Sequence, residues 1–270
     1  MLITEKECRS ALNRCGIPGI DYCLNPYTGC SHGCLYCYAS FMKKFCHIPE
    51  EWGSFVQVKV NFVDRLKAAL RKSKHGCVTL SSVTDPYQPL ERKYRLTRSC
   101  LELLADTDLA INILTKSDLV LRDLDILKKL PQVKVGLTIT TLDPYTAKLL
   151  EPGAPLPENR LHALDRLTAA GVKTWVFISP VVPGLADTDE NLASILKKAA
   201  AAGVQEVHYD PLNFYPVAVS NLRAVIQRHW PKLRLLFEAA CRDPYYYKEQ
   251  LRSMADEIWP VYGYDSNLTP

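Results

Sequence analysis

The sequence predicts an α/β fold in which strands and helices alternate around a parallel sheet. Three observations carry this. From about residue 77 onward, short β-branched runs alternate with longer stretches whose apolar residues recur every three or four positions, the pattern of repeated βα units. The strands are near-continuous apolar runs, such as Ala110-Ile111-Asn112-Ile113-Leu114 and Thr174-Trp175-Val176-Phe177-Ile178, of the kind buried on both faces. Finally, 47% of the 270 residues are hydrophobic, which sustains a sizeable core and excludes disorder as the main state.

The elements follow in order. A first strand is expected at 22–27, and the segment 54–60 reads as a further strand outside the repeat. Regular strands are then expected at 78–83, 110–115, 133–140, 172–179 and 206–210. Leu66, Ala69 and Leu70 mark one intervening helix, Leu119, Leu121, Leu124 and Leu127 a second, and Leu161, Leu164 and Leu167 a third. Ala170-Gly171-Val172 supplies a glycine helix stop directly before a strand. The Pro-rich stretch 151–157 reads as a loop, because the βα rhythm resumes after it. Beyond Pro216 the strands stop and a helical tail rich in Tyr and Trp closes the chain. Six regular strands are too few for a complete eight-stranded barrel. The candidates are an open, partial barrel and a doubly wound sheet, and both place chemistry at the carboxyl ends of the strands.

Charge and composition narrow the class. Lys plus Arg number 33 against 29 Asp plus Glu, and a net charge of +4 argues neither for nor against a nucleic-acid partner. The first ten residues carry charge where an export signal has an apolar stretch, and no long apolar run follows. The expectation is a cytoplasmic chain with no membrane partner. In a reducing compartment, ten cysteines are free, metal-bound or reactive rather than paired, and seven of them fall before residue 50.

Residues 25–40 read Asn-Pro-Tyr-Thr-Gly-Cys-Ser-His-Gly-Cys-Leu-Tyr-Cys-Tyr-Ala-Ser. Cys30, Cys34 and Cys37 stand at C-x3-C-x2-C spacing just past the first strand, with Gly29 and Gly33 allowing tight turns. Three such thiolates can take three corners of an iron–sulfur cube and leave the fourth iron open, as a catalytic centre needs. The competing reading is a zinc knot completed by His32 or His47. Zinc sites more often combine two C-x2-C pairs a dozen or more residues apart, and no second pair is present.

The C-x3-C-x2-C run with Tyr36 before its last cysteine resembles the signature of the radical S-adenosylmethionine superfamily. Together with Ser81-Ser82-Val83-Thr84-Asp85-Pro86-Tyr87-Gln88, it looks like the spore photoproduct lyase branch, over roughly residues 21–215. The resemblance implies an α/β fold with a partial (β/α)6 TIM-type barrel at 21–215, an N-terminal extension at 1–20 and a helical C-terminal extension at 216–270. It implies an enzyme with a [4Fe–4S] cluster on Cys30, Cys34 and Cys37 that cleaves S-adenosylmethionine to a 5′-deoxyadenosyl radical. Tyr36 is then expected to seat the adenosine, and Ser81, Ser82 and Thr84 lie where the family holds the methionyl amine. Lys116 matches a contact to the cofactor carboxylate or ribose, and Thr138 and Thr140 match hydroxyl contacts. The implied partners are an unidentified substrate, with a nucleic-acid lesion as runner-up, and a reducing donor such as flavodoxin or ferredoxin. A non-catalytic metal-binding barrel is the reading from another class.

The likeness departs at one place. In the DNA-repairing member a cysteine near the end of the second strand gives hydrogen to the product radical, and Ser82 stands there in this sequence. A hydroxyl cannot do the same, so the resemblance supports radical generation more than the lyase reaction. Of the remaining cysteines, Cys8, Cys15, Cys23 and Cys46 read as free thiols, with an auxiliary cluster as the alternative. Cys77, Cys100 and Cys241 read as small apolar residues. The loop 85–91 is expected near the substrate, whereas the pair Tyr209-Asp210 reads either as a substrate-facing phenol and carboxylate or as a helix cap or turn before Pro211; Tyr245, Tyr246 and Tyr247 are expected to pack against the barrel, with base stacking beside Arg242, Lys248 and Arg252 as the alternative.

Overall fold

A computed structural model describes residues 1–72 and 74–266. Among these described residues ten strands run in chain order: β1 Leu2–Lys6, β2 Leu12–Arg14, β3 Tyr22–Leu24, β4 Tyr27–Thr28, β5 Phe55–Lys59, β6 Cys77–Leu80, β7 Ala110–Thr115, β8 Val133–Thr138, β9 Lys173–Val181 and β10 Glu206–Pro211. Seven form one sheet in the order β10-β9-β8-β7-β6-β3-β2. Every neighbouring pair is parallel except β2 with β3, which is antiparallel at the edge. Six parallel strands with helices between them make the partial (β/α)6 barrel, the first of the two architectures the strand count allowed. The other three strands form a small sheet in the order β1-β5-β4.

Side-chain alternation fixes which face looks inward. Val78, Leu80, Ile111, Ile113, Val135, Leu137, Val176, Ile178 and Val207 join the helices in one continuous core. The alternate positions, Asn112, Leu114, Phe177, Ser179, His208 and Asp210, are half-buried and line the concave face. Near the amino ends, Trp175 closes that face. Its indole lies so close to Gly136 that a Cβ there would sit 2.2 Å from the ring, and Phe177 and His208 pack on it at 5.7 Å.

The expected strand at 22–27 divides into two. Pro26 has no N–H to give, and Asn25 turns its side chain to another segment, so β3 stays in the barrel while β4 pairs with β5. The expected strand at 78–83 ends at Leu80, because Ser81 takes the left-handed backbone conformation at φ +69°. The segment 54–60 forms β5, outside the barrel as expected, where it also pairs in parallel with β1.

The last strand is followed by helices Pro216–His229, Arg234–Arg242 and Pro244–Ile258. Trp259 is fully buried and donates its indole N–H to Val207 O at 2.9 Å. Tyr247 donates to Val181 O at 3.1 Å and Tyr264 to Val204 O at 3.2 Å. Tyr247 therefore packs as expected, whereas Tyr245 and Tyr246 are exposed. Among the described residues no helix is long and apolar enough to cross a membrane.

Candidate metal centre and cofactor chamber

The cysteine loop leaves β4 and ends in a short 3-10 helix, Tyr38–Phe41. Gly29 sits at φ +88° with Phe55 O only 2.5 Å from where a Cβ would lie, so the loop begins in a conformation and a space that only glycine fits. Gly33 and Gly53 meet backbone to backbone, and Gly153 closes over Ser31 and His32. The loop is thus clamped from two sides.

A second set of contacts ties it to the strand ends. Thr84 donates to Gly29 O at 2.6 Å, and Gln88 Nε2 donates to Thr84 Oγ1 at 3.0 Å while Gln88 Oε1 accepts from Ser31 N at 3.0 Å. Asn25 Oδ1 accepts from Ser82 N and Val83 N, and Asn25 Nδ2 donates to Ser82 Oγ at 3.2 Å. Asp85 is the hub: it accepts from Tyr87 N, Thr115 Oγ1 and Lys116 N, and faces His32 Nδ1 at 3.3 Å. Burial alone would raise Asp85, but His32, Thr115 and the Lys116 amide hold it at about 2. Burial would lower His32, yet Asp85 outweighs it and brings the imidazole to about 10. The loop after the second barrel strand, expected near the substrate, braces the cysteine loop.

A buried polar cluster stands beside the second cysteine, Cys34. The Tyr36 hydroxyl donates to Glu151 and lies 3.5 Å from Thr140 Oγ1. Lys116 Nζ is 3.9 Å from the same carboxylate and 5.5 Å from the Tyr36 ring centre. Arg160, 1% exposed, pairs with Glu151 and donates to Thr138 O at 3.0 Å. Burial works to raise Glu151, but Arg160 and Lys116 leave it below its ordinary value. Tyr36, Lys116, Thr138 and Thr140 therefore come together around Glu151 and Arg160, two residues the sequence reading did not single out. Arg160 had a signal: it occupies the buried stripe of helix Pro157–Ala169 with Ala163, Leu164 and Leu167, where an apolar residue is expected. Glu151, in a Pro-rich loop, had none.

The remaining expected site residues divide. Ser81 Oγ is buried with no hydrogen-bond partner at the mouth of the concave face. Ser82 and Thr84 are engaged in bracing the loop. Asp210 ends the last barrel strand on the inward face, and burial raises it to about 6 against the pull of Lys248.

The donor set fits a cluster. Cys30 and Cys34 are buried and Cys37 is half-buried. The three sulfurs lie within electrostatic reach of one another, and Cys34 and Cys37 within reach of Lys116. Burial pushes Cys34 well up and Cys37 to about 12, so buried thiolates here call for the positive charge that iron brings. Among the described residues no three His, Cys, Asp or Glu side chains converge on a point that one ion could occupy. In a cube each thiolate takes its own iron, so the sulfurs need only surround the cluster. A cavity of about 260 Å³ touches the back of the loop at His32, with Arg92, Ser117 and Lys148 on its wall, while a larger one of about 430 Å³ lies between the tail helices, away from the thiols.

Comparison with known proteins bears on the family and the fold. The family described as the radical SAM superfamily matches residues 24–199. An uncharacterized protein of Methanocaldococcus jannaschii is 42% identical over 189 residues, which is 69% of this chain and 70% of that protein. A protein of Pseudomonas phage M6 named Radical SAM Nalpha-GlyT isomerase is 27% identical over 205 residues, 75% of this chain and 41% of the phage protein. In fold, the chain matches a doubly substituted spore photoproduct lyase with bound S-adenosylmethionine and dinucleoside spore photoproduct. The TM-score is 0.69 at 20% identity, over 99% of this chain and 82% of that one.

Proposed function

Because the chain belongs to the radical S-adenosylmethionine superfamily and is an enzyme of that class, we propose that Cys30, Cys34 and Cys37 hold its [4Fe–4S] cluster at the mouth of the barrel. Bound there, the cluster and S-adenosylmethionine supply reductive cleavage to methionine and a 5′-deoxyadenosyl radical, which takes hydrogen from the substrate. The protein's own residues orient and exclude water. Ser81 Oγ, buried without a partner, offers a free polar atom to the methionyl end. Lys116, reaching only a long contact to Glu151, has donor capacity left for a carboxylate or ribose. Tyr36, held by Glu151 and Thr140, presents a fixed ring beside the cysteines for the adenosine, and Thr138 and Thr140 complete the inner wall. Ser82 and Thr84 serve this site by holding the loop. A flavodoxin- or ferredoxin-type donor supplies the electron.

The observation that carries this reading is the clamped C-x3-C-x2-C loop at the carboxyl ends of six parallel strands. Anaerobic reconstitution should bring about four irons per chain, and reduction with S-adenosylmethionine should release 5′-deoxyadenosine. A full cluster that forms no 5′-deoxyadenosine overturns the reading.

A nucleic-acid lesion is the substrate class of the second reading. The lyase structure that the chain resembles in fold holds a dinucleoside spore photoproduct, and this supports it. Binding of a lesion-bearing oligonucleotide with a clear salt dependence is the expected result, and salt-independent or absent binding removes the class.

A further inference from the structure

Two thiols lie near the open edge of the barrel, apart from the cluster ligands. Cys23 on β3 shares the inward face with Thr79 of β6, two residues below the level of Asn25. It is buried; its Sγ points at Arg14 O at 3.9 Å and receives Asn25 Nδ2 at 3.6 Å. The same amide reaches Ser82, and the Ser82 hydroxyl and the Cys15 thiol both lie near enough to Cys23 to act on its thiol. In the β2–β3 register Cys23 faces Asn13, so Cys15, two residues further along, falls on the same face of the edge strand and is half-buried. The other inward strand positions carry hydroxyl, amide, imidazole, carboxyl or hydrocarbon groups, as at Thr79, Asn112, His208 and Asp210. Cys77 also faces inward, but it opens β6 at the amino end of the barrel.

Removal of hydrogen from a substrate leaves a carbon radical that must be quenched for the protein to turn over. A thiol S–H bond is weaker than the C–H bond that forms, whereas the O–H bonds of Ser and Thr are stronger, so a thiol gives its hydrogen downhill and a hydroxyl does not. We propose that Cys23 is the hydrogen-atom donor of this chamber and that Cys15 renews it, an inference that rests on the function proposed above. The product C–H bond forms as the Cys23 S–H bond breaks, leaving a thiyl radical. That radical takes the hydrogen of Cys15. The Cys15 thiyl, at the accessible edge, returns to the thiol with one electron from the low-potential donor that reduces the cluster and one proton from water. Burial raises the Cys23 thiol above its ordinary value and keeps it in the S–H form the step requires.

Two measurements test the assignment. In the unloaded chain, mild oxidation with diamide followed by peptide mass mapping should join Cys15 to Cys23. Reaction at other thiols without this link places the sulfurs out of contact and overturns the relay. In the reconstituted protein, reduction with dithionite in D2O, without added thiol or substrate, should yield 5′-deoxyadenosine carrying one solvent deuterium from the exchanged Cys23 thiol. Cys23→Ser, nearly the same size, should lose most of that label per 5′-deoxyadenosine formed, and Cys77→Ser should keep it. Unlabelled product from the wild type, or equal labelling in wild type and Cys23→Ser, overturns the proposal. No 5′-deoxyadenosine from a fully loaded wild type overturns the function it rests on.

Discussion

The inward carboxyl of Asp210 sets a pH dependence that belongs to one residue. Burial raises it to about 6, with Lys248 opposing, whereas a free aspartate titrates near ~3.9. The folded chain therefore binds this proton more tightly than the unfolded chain. The resulting stabilisation is fully present below the unfolded value and is lost as pH rises through about 6. Above that, the fold carries a carboxylate in a place that disfavours its charge. Asp210→Asn should raise the urea midpoint at pH 8 and bring a much smaller gain at pH 4. Equal midpoints for the two proteins at pH 8 would remove the argument. Asp210 was readable in the sequence as a candidate, because strand ends point to the site, whereas Tyr209 beside it turns outward onto Trp259. The raised value was not, since it comes from packing.

At the scale of elements, the cysteine loop is held by glycines from three segments. A Cβ on Gly153 would lie 2.1 Å from Ser31 O and 3.0 Å from His32 Cα, and backbone cannot swing aside as a side-chain tip can. Gly153→Ala should displace the loop, cost about 1–3 kcal/mol in urea unfolding, and lower the iron retained after reconstitution. Gly171→Ala is the control. Its φ of +80° carries a strain of about 1–2 kcal/mol, but nothing lies within 4 Å of the added carbon, so iron content should stay at wild type. Matching iron content in both variants would show that the Gly153 contact does not shape the loop. Gly29 and Gly33 could be read from the motif itself, as could the three cysteines, because spacing within ten residues is a local pattern. Gly53, Gly153, Gln88 and Asn25 could not. They meet the loop from far along the chain, at separations such as the 57 residues between Ser31 and Gln88, and no local periodicity encodes such a meeting. The division of the expected strand at 22–27 has the same origin, since Asn25 leaves the ladder for amides 57 and 58 residues away.

Over the whole molecule, a partial barrel has an outer face on its last strands that needs covering, and the tail supplies the cover. Val207 and Tyr209 of β10 turn their side chains outward, and Trp259 packs on Tyr209 at a centroid distance of 5.0 Å while donating to Val207 O. Tyr247 and Tyr264 reach backbone carbonyls in the same way, so three rings join tail and barrel by burial plus a hydrogen bond each. Tail and barrel residues lie in one hydrophobic cluster, which predicts that they unfold together. Trp259→Ala removes a fully buried ring and leaves the Val207 carbonyl without its donor, and should cost about 3–5 kcal/mol. Trp259→Phe keeps most of the ring and should cost less, since a typical hydrogen bond contributes about 1 kcal/mol. Against a total of about 5–15 kcal/mol for an ordinary domain, the alanine change is large enough to follow in urea by circular dichroism. The discriminating observation is the number of transitions. A single shared transition shifted to lower urea in Trp259→Ala means that the tail is part of the barrel's stability and holds β10, with Asp210 at its end, in place. An early separate transition for the tail, with the barrel unfolding at its wild-type midpoint, would instead make the tail an independent appendage and leave the alignment of β10 to its pairing with β9 alone.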